Sequence, residues 1–386
     1  MNKPLKDLLQ AFLCKAQRAR CSSFRPGDQT PMTHARLLRL VLAAALLLWT
    51  EKTLDAAELE VLDVPGITLR DNPLGDPAAR RVAAFVPDGI KADTPLPLVV
   101  YLPGWGGSSE DAIAQGNHAW FGRVVDDLAA GGVPLRLAVV DCRARYGGSQ
   151  FLNSSATGNY ADYVCDEVVP LLKAHYRVAK EHPAERVIAG HSSGGYGALM
   201  LAMMKKMEFG GVVALSPDSD FEMTHKPLVE QASVRDIRPA DLDAAIAPRE
   251  RMHLPEDGLA RLVIGLCANY APCGTADGRF EWLYDNRGHW RPEAWQRWID
   301  RDPLTAVRRG KDAFSPRQRI YLDGAKHDEF GANIGARKIC DVLATRESPV
   351  TFFEPPGHHA DHLPERLVRG LSWIFGRPVK DIVPAK

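Results

Sequence analysis

An excess of charge of either sign is missing from this chain. Its 48 lysines and arginines are matched by 48 aspartates and glutamates over 386 residues, with no long basic stretch. That balance leaves no footprint for nucleic acid and no field to draw in acidic partners. Metal-ligand spacing is missing too: His358, His359, Asp361 and His362 form the one dense group of ligand-type residues, and no distant CxxC or HxxxH completes it. No internal repeat or low-complexity tract is visible. No apolar run reaches the roughly 20 residues needed to span a bilayer. What remains is a chain with 45% hydrophobic residues, enough to bury the core of one large domain or two smaller ones.

One apolar run does have a purpose. Leu40 to Trp49 follows the basic Arg36 and Arg39 and precedes the polar stretch Thr50 to Asp55 and the small pair Ala56 and Ala57. This is the anatomy of an export signal. About thirty residues precede Met32, so translation is expected to begin there, with residues 1–57 an N-terminal extension removed to leave a mature start near Ala57 or Glu58. The protein is then periplasmic or extracellular. The alternative is an uncleaved membrane anchor, because a cut after Ala56 would have the bulky Leu54 three residues before it. Removal would leave Cys142, Cys165, Cys267, Cys273 and Cys340, an odd number that cannot all pair. Cys267 and Cys273 are near enough for a local disulfide in an oxidising compartment, while Cys165 falls on a helix face as a buried thiol.

From residue 58 onward, short apolar runs alternate with helical patterns. The runs are Leu96 to Leu102, Arg136 to Asp141, Arg186 to Ala189, Gly211 to Leu215, Arg319 to Leu322 and Val350 to Phe353. Tyr160, Val164, Val168, Leu171 and Leu172 share one helix face, as do Leu363, Leu367, Leu371 and Ile374. Buried strands alternating with helices predict an α/β fold whose mainly parallel sheet is covered on both faces. Glu60 to Leu69 and Arg80 to Val86 read as antiparallel strands at one edge. Residues 222–317 break the rhythm, and Trp282, Trp290, Trp295 and Trp298 suggest a helical insertion, either capping the strand ends or packing onto the sheet.

The chemistry concentrates around Gly190-His191-Ser192-Ser193-Gly194, which leaves the run Arg186 to Ala189 and enters the helical pattern Ala198 to Lys205. A serine hydroxyl is a poor nucleophile unless a sharp strand-to-helix turn lifts it to where a base can reach it. Flanking glycines permit that turn. The orienting acid and the base should follow in that order, each after a strand. Asp328 suits the acid, since a loop can aim it at an imidazole; Asp323, at the strand end, and Glu329 are alternatives. His359 suits the base, with His358 and His362 as alternatives. The oxyanion of acyl transfer needs two fixed donors, expected from the amides of Ser193 and of Trp105 in the glycine-rich loop Pro103 to Ser108.

The runs Leu96 to Ser108, Gly147 to Ser154, Thr157 to Tyr163 with Glu167, and Gly190 to Leu199, together with Asp328 and His359, resemble the putative esterase family of the α/β-hydrolase superfamily. That family includes the esterase D-like formylglutathione hydrolases, the feruloyl and enterochelin esterases and the mycolyltransferases. The resemblance implies an α/β-hydrolase fold over residues 58–386, with the insertion before the acid-bearing strand. It implies a serine esterase with no cofactor and no metal, acting on a small-molecule or glycan-linked ester. It also puts Asn153 and Ser154 near the pocket, to bind substrate or to close their own loop. Pro103 stands where many relatives have histidine, and Ser193 where they have methionine or leucine. An acyltransferase on the same triad, a prolyl-oligopeptidase-like peptidase and a catalytically silent binding domain remain rival readings. If the N-terminal reading holds, sequencing of the exported protein finds Ala57 or Glu58 first; an intact Met32 would identify an uncleaved anchor.

Overall fold

The computed structural model describes residues 57–179, 185–247, 251–275, 277–310 and 313–378. The expected export segment before Ala57 lies outside them. Strands β1 (Glu58–Val64), β2 (Arg80–Val86), β3 (Leu98–Leu102), β4 (Arg136–Val139), β7 (Arg186–His191), β8 (Gly211–Leu215), β9 (Arg319–Asp323) and β10 (Val350–Phe353) form one sheet. Two-residue strands β5 (Asn153–Ser154) and β6 (Gly158–Asn159) pair separately. The sheet order is β1-β2-β4-β3-β7-β8-β9-β10. From β4 to β10 all neighbours are parallel, while β1 and β2 add an antiparallel edge. The edge strand ends at Val64, earlier than its apolar pattern suggests. Gly66 turns the chain at φ +63°, where a β-carbon would sit 1.8 Å from Ala78 O, and residues 67–69 form a 3₁₀ turn. Glu167 secures that turn by accepting the N–H groups of Ile67 at 2.8 Å and Thr68 at 2.6 Å.

Period-two alternation sends β3 side chains to two different cores. Val99 and Tyr101 face a layer containing Phe121, Val124, Leu367 and Leu371, from α1 (Trp120–Ala130) and α6 (Leu363–Ile374). Leu98, Val100 and Leu102 face Val164, Leu172 and Leu199, the last from α2 (Ser193–Met204). Both faces are therefore dry, as a parallel sheet requires.

Register decides where the site forms. Leu102 pairs with Gly190, His191 with Leu215, Leu215 with Asp323, and Asp323 with Phe353. The carboxyl ends of five neighbouring strands, β3, β7, β8, β9 and β10, thus come level, and the loops that leave them meet.

Between β8 and β9 the chain passes through a run of helices, the longest being α3 (Gly258–Tyr270), capped at its start by Asp257 accepting from Ala260 N at 2.7 Å. The tryptophans supply this insertion with its own core: Trp290 lies 5.6 Å from Trp295, and Trp295 lies 5.5 Å from Trp298 in α4 (Pro292–Ile299). Trp298 meets Tyr270, and Tyr270 meets Tyr196 of α2, so the aromatic chain continues to the helix that follows Ser192. The expected Cys267–Cys273 disulfide is absent. Cys267 is buried within α3 while Cys273 is exposed beyond its end, and both thiols are free.

Asp323 and Arg366 have no exposed side-chain surface, and they meet through Nη2–Oδ1 at 2.7 Å and Nε–Oδ2 at 3.0 Å. Asp323→Ala strands the guanidinium and is expected to cost about 3–5 kcal/mol in urea denaturation. Arg337→Ala, which removes a half-exposed pair with Glu354, should cost less than about 1 kcal/mol. Equal losses would show that the buried pair is energetically ordinary.

Candidate active site

Ser192 sits at the tip of the β7–α2 turn with φ 57° and ψ −123°, a backbone conformation costly for any residue with a side chain. Close packing compels it. A β-carbon on Gly190 would lie 2.2 Å from Gly194 O, and one on Gly194 would lie 1.8 Å from Leu102 O, so neither position tolerates alanine. Ser192 N–H donates to Leu215 O at 2.9 Å, and Ser192 O accepts Tyr196 N–H at 2.9 Å. The strained residue is thereby held from both sides.

His359 and Asp328 meet across two loops, with Nδ1 of the ring 2.8 Å from Oδ2 of the acid. The other carboxylate oxygen accepts Phe330 N–H at 3.0 Å and Ala332 N–H at 3.3 Å. Burial by itself would raise the Asp328 carboxyl. The hydrogen bond and charge of His359, a bond from Ser216 and the Ala332 N–H outweigh it and hold the group below the usual carboxylate range. His359 N–H donates to Glu329 at 3.0 Å, and the Phe330 ring lies edge-on to the imidazole at 4.8 Å. Among the described residues Nε2 of His359 has no protein partner, and no hydrogen bond joins it to Ser192.

The alternative residues are occupied elsewhere. Asp323 is bound to Arg366 and accepts Ser216 N–H at 3.1 Å. His358 is exposed, its N–H directed to Asp361 at 2.8 Å. His362 occupies the left-handed N-cap of α6 at φ 56°. Sequence reading missed two supports. Arg366 donates to the His359 carbonyl at 2.9 Å, and Nε2 of His191 contacts that same carbonyl at 3.0 Å. Burial first, then the nearby His359 and Arg366, pushes the His191 ring down to about 3, so it is neutral and donates through Nε2–H.

The loop carrying Trp105 lies against the elbow: a β-carbon at Gly104 would be 3.5 Å from Ser192 Cβ. Its indole is wedged among three glycines. Side chains on Gly147, Gly148 or Gly265 would approach the ring to 2.4, 2.7 or 2.6 Å. The amides of Trp105 and Ser193 donate to no group among the described residues.

Ser192, Ser193 and Trp105 open on a cavity of about 220 Å³ lined further by Leu228, Leu262, Leu266 and Phe330. The insertion supplies the three leucines, so it does cap the strand ends. Asp218, Thr224 and His225 are the other polar groups of the wall. Asn153 and Ser154 are not part of it. Asn153 accepts Asp162 N–H at 3.1 Å and Ser154 Oγ accepts Ala156 N–H at 3.1 Å, so both close their loop, while the Ser154 hydroxyl donates to Ala268 O at 2.6 Å and ties that loop to α3.

A family model described as Putative esterase matches residues 78–360. The chain is similar to many solved structures, among them these two. One, a ferulic acid esterase, is 15% identical with a TM-score of 0.52, covering 83% of this chain and 97% of that one. The other, an S-formylglutathione hydrolase from Agrobacterium tumefaciens, is 17% identical with a TM-score of 0.50, covering 83% and 96%. At such identities the likeness establishes the fold. No curated protein sequence matches the chain.

Because its native pKa is depressed, Asp328 stabilises the fold fully above its unfolded value of about 3.9, and that stability is lost as pH falls through the lower native value. Urea denaturation of wild type and Asp328→Asn should show a stability gap that is widest near neutrality and closes below about pH 4. A gap independent of pH would dissociate the carboxylate from that contribution.

Proposed function

The chain belongs to the putative esterase family of carboxylic ester hydrolases, and from that premise we propose that it is a serine esterase working through an acyl-enzyme. The buried 2.8 Å contact between His359 and Asp328, behind a cavity that holds Ser192, carries this reading. Asp328 fixes the ring so that Nδ1–H faces the carboxylate, which leaves Nε2 as the basic nitrogen. His359 takes the Ser192 proton as Oγ attacks the carbonyl carbon. Charge then accumulates on the carbonyl oxygen, where the Trp105 and Ser193 amides donate to it. Collapse of the tetrahedral intermediate breaks the ester bond, and the alcohol leaves with the proton held by His359. Water, deprotonated by the same nitrogen, attacks the acyl-serine, and collapse of the second tetrahedral intermediate breaks the acyl–Oγ bond, returns the proton from His359 to Ser192 and releases the acid.

The separation of Ser192 from His359 fits a site that completes its hydrogen bonds when substrate enters. Trp105 makes that entry precise, because its indole cannot shift without displacing three glycine backbones. Each oxyanion donor is worth about 3–4 kcal/mol of transition-state stabilisation, so a rigid loop matters.

A panel of acetyl, butyryl, feruloyl and thioester substrates tests the reading. Ser192→Ala should lower kcat by about 10⁶-fold and Asp328→Asn by about 10⁴-fold, with the fold retained. Full turnover by Ser192→Ala would refute the mechanism. Asp323→Asn, compared at equal folded concentration, should lose less than Asp328→Asn; the reverse order would make Asp323 the orienting acid.

A further inference from the structure

The reading of Ser192 as nucleophile leaves one charge in its cavity unused. Asp218 lies just beyond β8, and Oδ2 of its carboxylate accepts the Ser193 hydroxyl at 3.1 Å and the Gln150 amide at 3.1 Å. Both donors are neutral. Among the described residues no lysine or arginine pairs with Asp218, and its Oδ1 receives no hydrogen bond.

His225 faces the same cavity and is 5% exposed. Its Nδ1 lies 2.8 Å from Thr224 Oγ1, whose hydroxyl has the carbonyls of Ser219 and Asp220 within 3.0 and 3.2 Å. Giving the hydroxyl proton to a carbonyl makes Thr224 the acceptor of Nδ1–H. Among the described residues nothing donates to Nε2 of His225, which is then a bare acceptor. Burial lowers the affinity of this ring for a proton, so it supplies no positive charge to answer Asp218.

The wall therefore presents two open acceptors, one of them anionic, amid Leu228, Leu262, Leu266 and Phe330. An apolar acyl chain filling this space would strip water from Asp218 and return nothing for it. A carboxylate would add repulsion. A hydroxyl brings one donor, whereas an ammonium brings three together with the opposite charge. The cavity is below the usual size of a drug-like site, so the group it takes is short.

We propose that Asp218, assisted by His225, is the specificity determinant of this site, and that it selects esters whose cavity-bound portion ends in a protonated amine. The preferred substrates are thus small amino-substituted carboxylic esters. Asp218 acts in binding, while bond making and breaking stay with Ser192 and His359.

Two ester series test this, since either side of the ester can enter the cavity. In the acyl series, the ethyl esters of butyrate, 3-hydroxypropionate, β-alanine and malonate carry chains of similar length ending in methyl, hydroxyl, ammonium and carboxylate. In the alcohol series, the butyrate esters of 4-methylpentanol and 3-dimethylaminopropanol differ only by a tertiary ammonium. Wild type should favour the ammonium member over its neutral isostere by at least about tenfold in kcat/KM in one series, mainly through KM. The malonyl ester should be the poorest acyl substrate. Asp218→Asn keeps an acceptor for Ser193 and Gln150; it should bring the ammonium and neutral esters within about twofold of each other and raise turnover of the malonyl ester. Equal use of ammonium and neutral esters by wild type, or a preference that survives in Asp218→Asn, overturns the proposal. The wild-type series decides this by itself should the variant fail to fold. Turnover that persists in Ser192→Ala would instead fault the serine mechanism, and turnover lost in Ser192→Ala without charge preference would fault only this inference.

Discussion

A guanidinium without access to water holds this site in register. Arg366 leaves α6 and reaches Asp323 at the end of β9, Ser216 just after β8, and the carbonyls of His359 and Asp361. Bidentate pairing answers its charge, and the remaining N–H groups reach neutral acceptors, which makes so deep a burial tolerable. Two strand ends and the histidine loop share this single hub. The position of the imidazole therefore follows from the fold beneath it.

A second constraint acts on the other side of Ser192. The Trp105 indole lies where side chains of Gly147, Gly148 and Gly265 would be, so the loop Pro103 to Ser108, the loop before β5 and helix α3 close around one ring. Since α3 belongs to the insertion, whatever tilts the insertion also presses on the loop that carries the Trp105 amide. Under the proposed mechanism, substrate shape and transition-state stabilisation would thus be mechanically connected, without any need for the insertion to touch the reacting atoms.

The readable parts of the sequence were those whose cause is local. Alternation of apolar runs marked the sheet, and the glycines around Ser192 marked the turn because the steric demand falls on neighbouring residues. Asp328 and His359 were legible from their places after strands. Arg366 was not: in sequence it is one more charge on an amphipathic helix, and only the pairing of β8 with β9 sets it beneath His359. Asp218 and His225 escaped for a similar reason, being neighbours of Ser192 through the return of the chain after β8. Asn153 and Ser154 looked like pocket residues because a polar pair in a loop has the same appearance whether it meets a ligand or closes its own turn.

Ser193 joins the two halves of the site. Where relatives carry methionine or leucine, an apolar side chain would enter the cavity and give Asp218 no hydrogen bond. The serine here turns its hydroxyl to Asp218 at 3.1 Å, while its amide, without a partner among the described residues, is left for the proposed oxyanion role. On the proposed mechanism, one residue then touches both the charge that would recognise substrate and the charge that would develop during reaction. A bound cation on Asp218 would reduce the negative field felt at the Ser193 amide, and with it the electrostatic penalty on a nearby oxyanion. Recognition of the amine would in this way act mainly through KM, with a smaller gain at the transition state that carries the oxyanion.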